Sequence, residues 1–259
     1  MGRRNKLLTA RWLFGHLLAL VLVTAFFNFG LWQLRRLDQR RVANAVLIER
    51  ITLPTASLAD ALPAGGAAEV PEYLSVTARG SFLPEAEVLL RGRSRDGRPG
   101  FHLLTPLLLS EAGGWAGKLL LVERGWVPYD HDSVPVAAAL PPPGEVVVTG
   151  RLRAPRTPPS GPLAVLAPRD PAQGALTQSF YVDVGRLAAQ MPGELVPAYL
   201  ELTAQAPAQL GELPRPLGEP DLSEGSHLGY AIQWFAFFVI GVVGYLLLLR
   251  SVTRPPARV

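Results

Sequence analysis

Two long apolar segments lie near the ends of the chain. Residues 12–34 and 228–249 contain no Asp, Glu, Lys or Arg. About 20 apolar residues in an α-helix cross the ~30 Å hydrocarbon layer of a membrane, and both segments reach that length. The pattern predicts transmembrane helices at residues 12–34 and 227–249, which leaves residues 35–226 between them as one domain.

The first apolar segment has a second interpretation, a cleaved signal peptide. Its apolar run is longer than the usual hydrophobic core of a signal peptide. The run also ends in bulky aromatic side chains, those of Phe26, Phe27, Phe29 and Trp32. Both features favour an uncleaved membrane anchor.

Short runs rich in Val, Leu, Tyr and Phe alternate with Gly and Pro between the two apolar segments, which is typical of β-strands separated by turns. The predicted strands are residues 73–82, 87–93, 101–109, 118–127, 145–152, 180–184 and 198–202. Seven such strands predict a small barrel or a sandwich. The expected fold is therefore an integral membrane protein in which two transmembrane α-helices flank one β-rich domain.

Further helices, turns and loops are expected between these elements. A helix should continue out of the first span over residues 34–51 and end near Pro54, and a short helix is expected at residues 187–191. Asp96-Gly97 is a favoured pair for the tip of a two-residue hairpin. Segments dense in Pro, Ala and Gly are predicted loops: residues 61–72, 135–143, 154–175 and 206–220.

Positive charge is concentrated beside the apolar segments. The chain has 25 Lys and Arg against 21 Asp and Glu, a net charge of +4. Residues 1–11, 35–41 and 250–259 carry +4, +3 and +3, so residues 42–249 have a net charge of −6. The pI near 9.7 therefore reflects membrane flanks. We expect the lipid bilayer, and no nucleic acid, as a partner.

The second apolar segment predicts the orientation, because Lys and Arg accumulate on the cytoplasmic side of a membrane. The first segment has four basic residues on each side and favours neither orientation. Upstream of the second segment, residues 212–224 contain four acidic residues and one Arg, whereas residues 250–259 contain three Arg. We expect residues 1–11 and 250–259 in the cytoplasm and residues 35–226 on the extracytoplasmic side of a bacterial inner membrane.

Catalytic signatures of the common hydrolases, metalloproteases and nucleotide-binding enzymes are absent from the sequence. We therefore expect no enzymatic activity, and a membrane-tethered extracytoplasmic hydrolase stays open as a remote alternative. The absence of cysteine excludes disulfides, Cys-based metal sites and covalent attachment of haem through a C-x-x-C-H motif.

His227 stands at the outer end of the second apolar segment and heads a stripe of aromatic and small residues. The members recur every three or four positions and so share one helix face: Tyr230, Ala231, Trp234, Phe238, Gly241 and Tyr245. An axial nitrogen beside flat apolar side chains suits haem. An aromatic belt at the membrane interface combined with a helix-packing face explains the same spacing, so both interpretations stay open at this point.

The other histidines are spread along the chain. His16 lies about one turn inside the cytoplasmic end of the first span and is a candidate functional group within the membrane. It should not share an iron with His227, because the two are expected near opposite membrane surfaces. For His102 and His131 we expect solvated or locally hydrogen-bonded imidazoles.

A basic cluster stands out in the otherwise acidic middle domain; it consists of Arg91, Arg93, Arg95 and Arg98. Guanidinium groups bind carboxylates in a forked geometry, so haem propionates, lipid headgroups or an acidic partner surface could bind here. A charged edge strand that discourages pairing between sheets explains the same residues.

Five blocks of sequence resemble the surfeit-locus-one family. Gly30-Leu31-Trp32-Gln33-Leu34-Arg35-Arg36, followed by Arg40, resembles the G-x-W-Q-x-x-R-x-x-x-K signature that closes the first span in that family. The other blocks follow in the family's order, at residues 73–82, 99–107, 121–128 and 227–235. The resemblance therefore covers nearly the whole chain, although Glu123 replaces the usual Asn and Arg40 the usual Lys.

The resemblance implies a membrane assembly factor for cytochrome c oxidase. Its expected partners are the catalytic subunit of the oxidase and haem a synthase. Its expected cofactor is haem a, held transiently and non-covalently between the two helices at the outer surface and then inserted into the catalytic subunit. The residues expected to hold it are His227, as ligand of the haem iron, with Trp32, Gln33, Arg36, Tyr230 and Trp234 around it.

A scaffold that stabilises oxidase subunits without touching haem is the alternative function. In that case segments of the β-rich domain would be docking surfaces. The residues expected to contact a partner or an anion there are Arg91, Arg93, Arg124 and Trp126.

Overall fold

Residues 7–64, 69–111 and 113–254 are described by the computed structural model and form two compact units. The helical unit comprises the chain through Val46 and from Asp221 onward, and the β unit comprises Leu47–Pro220. In chain order the elements are α1 (Ala10–Thr52), β1 (Ala56–Ser57), α2 (Leu58–Ala61), β2 (Ser75–Phe82), β3 (Val88–Arg95), β4 (Arg98–Glu111), β5 (Leu119–Pro128), β6 (Glu145–Arg153), β7 (Gln178–Ser179), α3 (Val184–Ala188), β8 (Leu195–Ala206) and α4 (His227–Thr253).

The helices α1 and α4 are each long and apolar enough to cross a membrane. They confirm the two predicted apolar helices at the ends of a β-rich domain. The helix α1 also continues over residues 34–51 as predicted and ends at Thr52. Pro54 explains this end, because its ring disfavours a helical conformation at the preceding residue and its nitrogen cannot donate a hydrogen bond.

Aromatic side chains and a glycine pack the two long helices together. Phe29 and Phe26 of α1 contact Trp234 of α4, with ring centroids 4.9 and 5.8 Å apart. Gly30 lies so close to Phe235 that a Cβ at this position would come within 2.7 Å of the ring. The helices are therefore in direct contact at this level.

The sheet of the β unit closes on itself. Its strands follow the order β2–β6–β8–β5–β4, and the second half of β4 pairs again with β2, where Phe82 faces Leu107. The first half of β4 pairs instead with β3, where Leu90 faces His102. Because β4 is 14 residues long, it can pair with both strands on one edge. The β unit is therefore a five-stranded barrel, which is one of the two predicted β folds. The strands β3 and β7 extend the sheet beside the barrel.

Apolar side chains that alternate along the closing strands fill the barrel. One from each strand, Val76, Leu107, Val122, Val148 and Leu200, is completely buried in a single apolar cluster. Burying a side chain of this size contributes about 1.5–3 kcal/mol. A second apolar cluster, to which α3 contributes, covers the other face of β5, so β5 is buried on both faces.

The hairpin between β3 and β4 turns at Asp96-Gly97, as predicted. The two residues have φ values of 51° and 74°. A two-residue hairpin of type I′ requires positive φ at both central positions, and Asp and Gly are the residues that adopt it most readily. The turn therefore confirms the sequence signal.

The strand predicted at residues 180–184 is wrong. Only Gln178–Ser179 pair with β3, and the chain then leaves the sheet. The carboxylate of Asp170 accepts a hydrogen bond from the backbone amide of Phe180 at 2.9 Å and another from the Ser179 hydroxyl at 2.7 Å. These side-chain bonds take the place of strand pairing.

The short helix α3 begins three residues earlier than the predicted range of 187–191. Its amino end is capped by Asp183, whose side chain accepts a hydrogen bond from the backbone amide of Arg186 at 3.0 Å. A carboxylate in this position satisfies an amide that has no partner within the helix. Parts of the predicted loop 61–72 and of both predicted cytoplasmic ends lie outside the described residues.

Candidate functional site

His227 is the first residue of α4, and its side chain meets α1. The imidazole Nδ1 lies 2.8 Å from Oε1 of Gln33, a residue that is only 8 % exposed. The two residues are 194 positions apart in the chain. Only the packing of the two long helices brings them together.

The other edge of the His227 ring is open. Within the described part of the chain, Nε2 has no hydrogen-bond partner. Gly225 stands beside this edge, where a Cβ would lie 3.7 Å from Nε2. Gly225 also has a φ of 69°, which residues with a side chain rarely adopt. His227 itself is half-buried, and glycine at position 225 places no side chain against this nitrogen.

The aromatic residues predicted near His227 have different surroundings. Trp32 and Tyr230 are 48 % and 49 % exposed, so their rings can contact a flat apolar molecule. Trp234 instead packs on Phe26 and Phe29. It stabilises the helix pair and is less available to a ligand than the sequence pattern suggests.

The expected position of a macrocycle between the two helices needs correction. One turn before Gln33, Gly30 contacts Phe235 with no space for even a methyl group. A macrocycle cannot lie between α1 and α4 at this level. The approach that remains is the open edge of His227.

Arg36, predicted to meet a propionate, is exposed and lies about one helical turn beyond Gln33. Its Nη1 donates a hydrogen bond to Oε1 of Gln39 at 3.2 Å. A guanidinium group has five N–H donors, so this bond leaves most of them available to an anion.

A juxtamembrane clamp, missed by the sequence analysis, holds the segment that leads into α4. It joins Arg40 to Asp221 at 3.2 Å, Arg41 to Glu224 at 2.7 and 2.9 Å, and the Asn44 side chain to the Leu222 carbonyl at 2.6 Å. Residues 35–41 are basic and residues 212–224 are acidic. The acidic segment served to predict the orientation in the membrane, but the sequence did not indicate that the two segments form ion pairs. The clamp fixes the chain immediately before His227.

Lowering the pH is expected to loosen the clamp. Hydrogen bonding to Arg41 holds the pKa of Glu224 below its ordinary value. A carboxyl group with a depressed pKa stabilises the folded form above its unfolded pKa, and this contribution is lost as the pH falls through the folded pKa. Hydrogen–deuterium exchange of amides 221–225, relative to their intrinsic rates, should therefore be slow at neutral pH and accelerate once the pH falls below the ordinary pKa of a glutamate side chain.

Glu224→Gln is the matched variant for this test. It removes the charge but keeps the size of the side chain. At neutral pH it should exchange faster than the parent over residues 221–225, and most of the acid-induced change should disappear. An exchange profile identical to that of the parent would show that the ion pair does not hold this segment.

Arg124, predicted to contact a partner or an anion, is buried inside the β unit. Its Nη1 lies 3.4 Å from Oε2 of Glu87, and its Nη2 donates to Oε1 of Gln209 at 2.9 Å. Glu87 also accepts hydrogen bonds from the Thr105 hydroxyl at 2.6 Å and the Val136 amide at 3.1 Å. Burial lowers the pKa of Arg124 to about 10 and raises that of Glu87. This arginine links strands and is not a surface contact.

Trp126 is buried as well, which corrects the expectation of a docking surface on this segment. Its ring lies against Gly100, where a Cβ would come within 2.5 Å of the indole nitrogen. Its backbone amide and carbonyl both pair with Arg215 at 2.8 Å. Residues 124–128 form the end of β5 and are not a docking surface.

The basic cluster on the hairpin of β3 and β4 is only partly available to a ligand. The guanidinium of Arg91 lies 4.8 Å from the centre of the Phe180 ring, and Arg95 hydrogen-bonds to the carbonyl of Pro216. Arg93 has no polar partner within the described residues and follows the short pairing of β3 with β7. This placement favours the charged-edge interpretation and leaves Arg93 as a candidate anion contact.

Two of the other three histidines, His16 and His102, have local hydrogen-bond partners. Nε2 of His16 lies 2.9 Å from the carbonyl oxygen of Leu7, and Nδ1 bonds to the Tyr245 hydroxyl. His102 places Nδ1 2.6 Å from Oε1 of Glu123. No group of three or more His, Cys, Asp or Glu suited to a metal ion exists in the part of the chain that the structure describes. Among these, His227 alone combines a fixed ring with an open nitrogen on an apolar helix.

Comparison with known proteins identifies the family of the chain. The family model described as SURF1 family matches residues 20–239. The chain belongs to the SURF1 family. An uncharacterized SURF1-like protein of Mycobacterium bovis is 32 % identical over 236 residues, which cover 88 % of this chain and 81 % of the relative. A SURF1-like protein of Rickettsia felis is 33 % identical over 43 % of this chain and 45 % of the relative. A SURF1-like protein of Caenorhabditis elegans is 24 % identical over 91 % of this chain and 74 % of the relative.

The SURF1 match confirms the resemblance drawn from the sequence blocks. It extends from the apolar part of α1 into α4 and so includes Gln33 and His227. The SURF1 family is known broadly as oxidase assembly factors. Glu123, which departs from the usual family residue, is accommodated by its hydrogen bond with His102.

Proposed function

We propose that this SURF1-family chain is a membrane assembly factor for cytochrome c oxidase that holds haem a through His227 for insertion into the catalytic subunit. The observation that carries the proposal is the open Nε2 edge of His227 at the start of an apolar helix. Membership of a family of oxidase assembly factors supports the choice of oxidase.

We place α1 and α4 across the bacterial inner membrane, with both termini in the cytoplasm and the β unit on the extracytoplasmic side. Length and hydropathy support the two spans. The acidic residues within 212–224 and the arginines after Leu249 support the orientation. Haem a synthase is the proposed donor and the oxidase catalytic subunit the proposed acceptor.

The residues around His227 fit haem a. Haem a supplies a flat apolar macrocycle, an iron that accepts an axial nitrogen, and two propionates. The open Nε2 of His227 can bind the iron, Trp32 and Tyr230 present exposed rings, and Arg36 has guanidinium donors for a propionate. Because the chain has no cysteine, any haem is held non-covalently and can be released.

A scaffold that stabilises oxidase subunits without haem is the competing function. The structure weakens it in one respect, because Arg124 and Trp126 are buried and cannot form a docking surface. Neither function requires catalysis by this chain, and we propose no enzymatic activity.

The absorption spectrum tests the proposal directly. The full chain would be purified in detergent from cells with and without haem a synthesis, and oxidase activity would be measured in membranes with and without the chain. We expect a Soret band and a haem a spectrum only when haem a is made, and low oxidase activity without the chain. Colourless protein in both preparations, together with lost oxidase activity, would favour the scaffold.

A further inference from the structure

The two nitrogens of the His227 ring have different surroundings. Nδ1 is 2.8 Å from the side-chain oxygen of the nearly buried Gln33. Nε2 faces the open edge beside Gly225, without a hydrogen-bond partner in the described part of the chain. One nitrogen is therefore held by the protein, while the other is presented outward.

The partner of Nδ1 determines where the ring proton lies. An amide oxygen can only accept a hydrogen bond, so the contact with Gln33 requires a hydrogen on Nδ1. A neutral imidazole carries a single ring proton. The lone pair of His227 must then lie on Nε2, at the open edge.

His16 in the same helical unit shows the opposite arrangement. Its Nε2 lies 2.9 Å from the carbonyl oxygen of Leu7, which also can only accept, so the proton of neutral His16 lies on Nε2. Its Nδ1 is occupied by the hydroxyl of Tyr245. Neighbouring groups thus leave His16 no free nitrogen and leave His227 one.

We propose that Gln33 is a positioning residue that fixes His227 in the Nδ1–H tautomer, and that Gly225 keeps the Nε2 edge clear for the haem iron. This inference rests on the proposed function. It deepens that function because it explains how a single histidine is prepared for a metal before haem arrives.

The neutral amide of Gln33 also suits a protein that must release its haem. Metal-binding histidines commonly donate their second N–H to a carboxylate or carbonyl, which orients the ring and raises its basicity. A carboxylate raises the basicity of the ring more than an amide does, because its full negative charge stabilises the positive charge that the ring acquires when its other nitrogen binds a proton or a metal. Gln33 therefore orients His227 without the stronger metal binding that a carboxylate would produce.

Gly225 contributes through the absence of a side chain. A Cβ at this position would lie 3.6 Å from Cδ2 and 3.7 Å from Nε2 of His227. These are ordinary contact distances for a methyl group, so alanine would occupy the volume through which a ligand reaches Nε2. It would also have to adopt the φ of 69°, which is unfavourable for alanine.

Nitrogen NMR of the haem-free full chain tests the tautomer without any haem chemistry. The chain has four histidines, so ¹⁵N-histidine labelling gives few signals, and the His227→Ala spectrum assigns the one of interest. The parent should show a protonated Nδ1 and an unprotonated Nε2. Gln33→Leu should lose this signature, and Gln33→Glu should keep it. A parent with the proton on Nε2, or a leucine variant identical to the parent, overturns the inference.

Haem release tests the consequence. Loss of an outer-shell partner costs about 10–100-fold in metal affinity, so Gln33→Leu should release haem to a scavenging apoprotein about 10–100-fold faster than the parent. Gln33→Glu should release it more slowly. Gln233→Leu is the matched control, because Gln233 is an exposed glutamine of α4 with no hydrogen bond within the described residues; it should release haem at the parental rate.

The outcomes separate this inference from the proposed function. If the parent binds haem through His227 and all Gln33 variants release it at the parental rate, the positioning role is wrong and the proposed function stands. If the parent binds no haem, the proposed function and the role of Nε2 as an iron ligand are wrong, and the NMR signature alone decides whether Gln33 fixes the tautomer. Gly225→Ala should bind haem more weakly while keeping the parental tautomer signature; parental binding in that variant overturns the role of Gly225.

Discussion

Protein carrying His227→Ala, purified from cells that make haem a, is expected to lose its Soret absorbance. In the parent, the ring is held at Nδ1 by Gln33 and open at Nε2, and alanine offers the iron no replacement nitrogen. The loss of affinity should exceed the roughly 100-fold that removal of an outer-shell partner costs. The measurement is haem content per protein, together with the spectrum of the purified sample.

Two comparisons make this result specific. Exogenous imidazole should restore part of the haem binding of His227→Ala, since it supplies the missing nitrogen. His16→Ala should keep the parental haem content, because both nitrogens of His16 are already bonded within the protein. Full haem content and a parental Soret band in His227→Ala would show that this residue is not the ligand.

Arg124→Met is expected to destabilise the β unit by about 3–5 kcal/mol, the usual effect of removing one partner of a buried ion pair. The side chain of Glu87 is only 2 % exposed, so its carboxylate would be left without its counter-charge. The guanidinium also lies 5.3 Å from the centre of the Phe82 ring, a contact that methionine would replace only in part. Urea unfolding of the full chain in detergent measures the difference in free energy.

Glu87 supplies the internal control for this prediction. Burial already raises its pKa, so in Arg124→Met the deficit should shrink as the pH falls and the carboxyl group takes up a proton. The double variant Glu87→Gln with Arg124→Met should recover much of the lost stability, because no unpaired charge remains.

Arg93→Met, at a position without a polar partner in the described chain, should change stability by no more than about 0.5 kcal/mol. Equal effects of Arg124→Met and Arg93→Met would contradict a buried ion pair.

The elements predicted correctly depend on local signals. These signals lie within short stretches of neighbouring residues. They are the continuous apolar segments of α1 and α4, Pro54 after the end of α1, and the Asp96-Gly97 pair at the hairpin tip. Such signals are readable because hydropathy, backbone restriction and turn preference do not depend on the rest of the fold.

The predictions that failed concern residues whose structure depends on a partner far away in the sequence. The strand expected at residues 180–184 does not form, because the backbone amide of Phe180 donates a hydrogen bond to the carboxylate of Asp170 instead. Asp170 lies ten positions away in the sequence. Arg124 resembles a surface residue by its charge, and only its pairing with Glu87, 37 positions away, permits its burial. The sequence around Phe180 and around Arg124 contains no pattern that identifies these partners.

The sequence by itself determined that two apolar helices enclose a β-rich domain, and it singled out His227 by its place at the head of an aromatic stripe. Tertiary structure alone decided that β4 closes a barrel by pairing with β2 as well as β5, while its first half pairs with β3. It also decided which His227 nitrogen is free, through a glutamine 194 residues away. The reason is physical: helix and strand formation follow local composition, whereas ring tautomer, burial of charge and strand closure depend on contacts that exist only after the chain has packed.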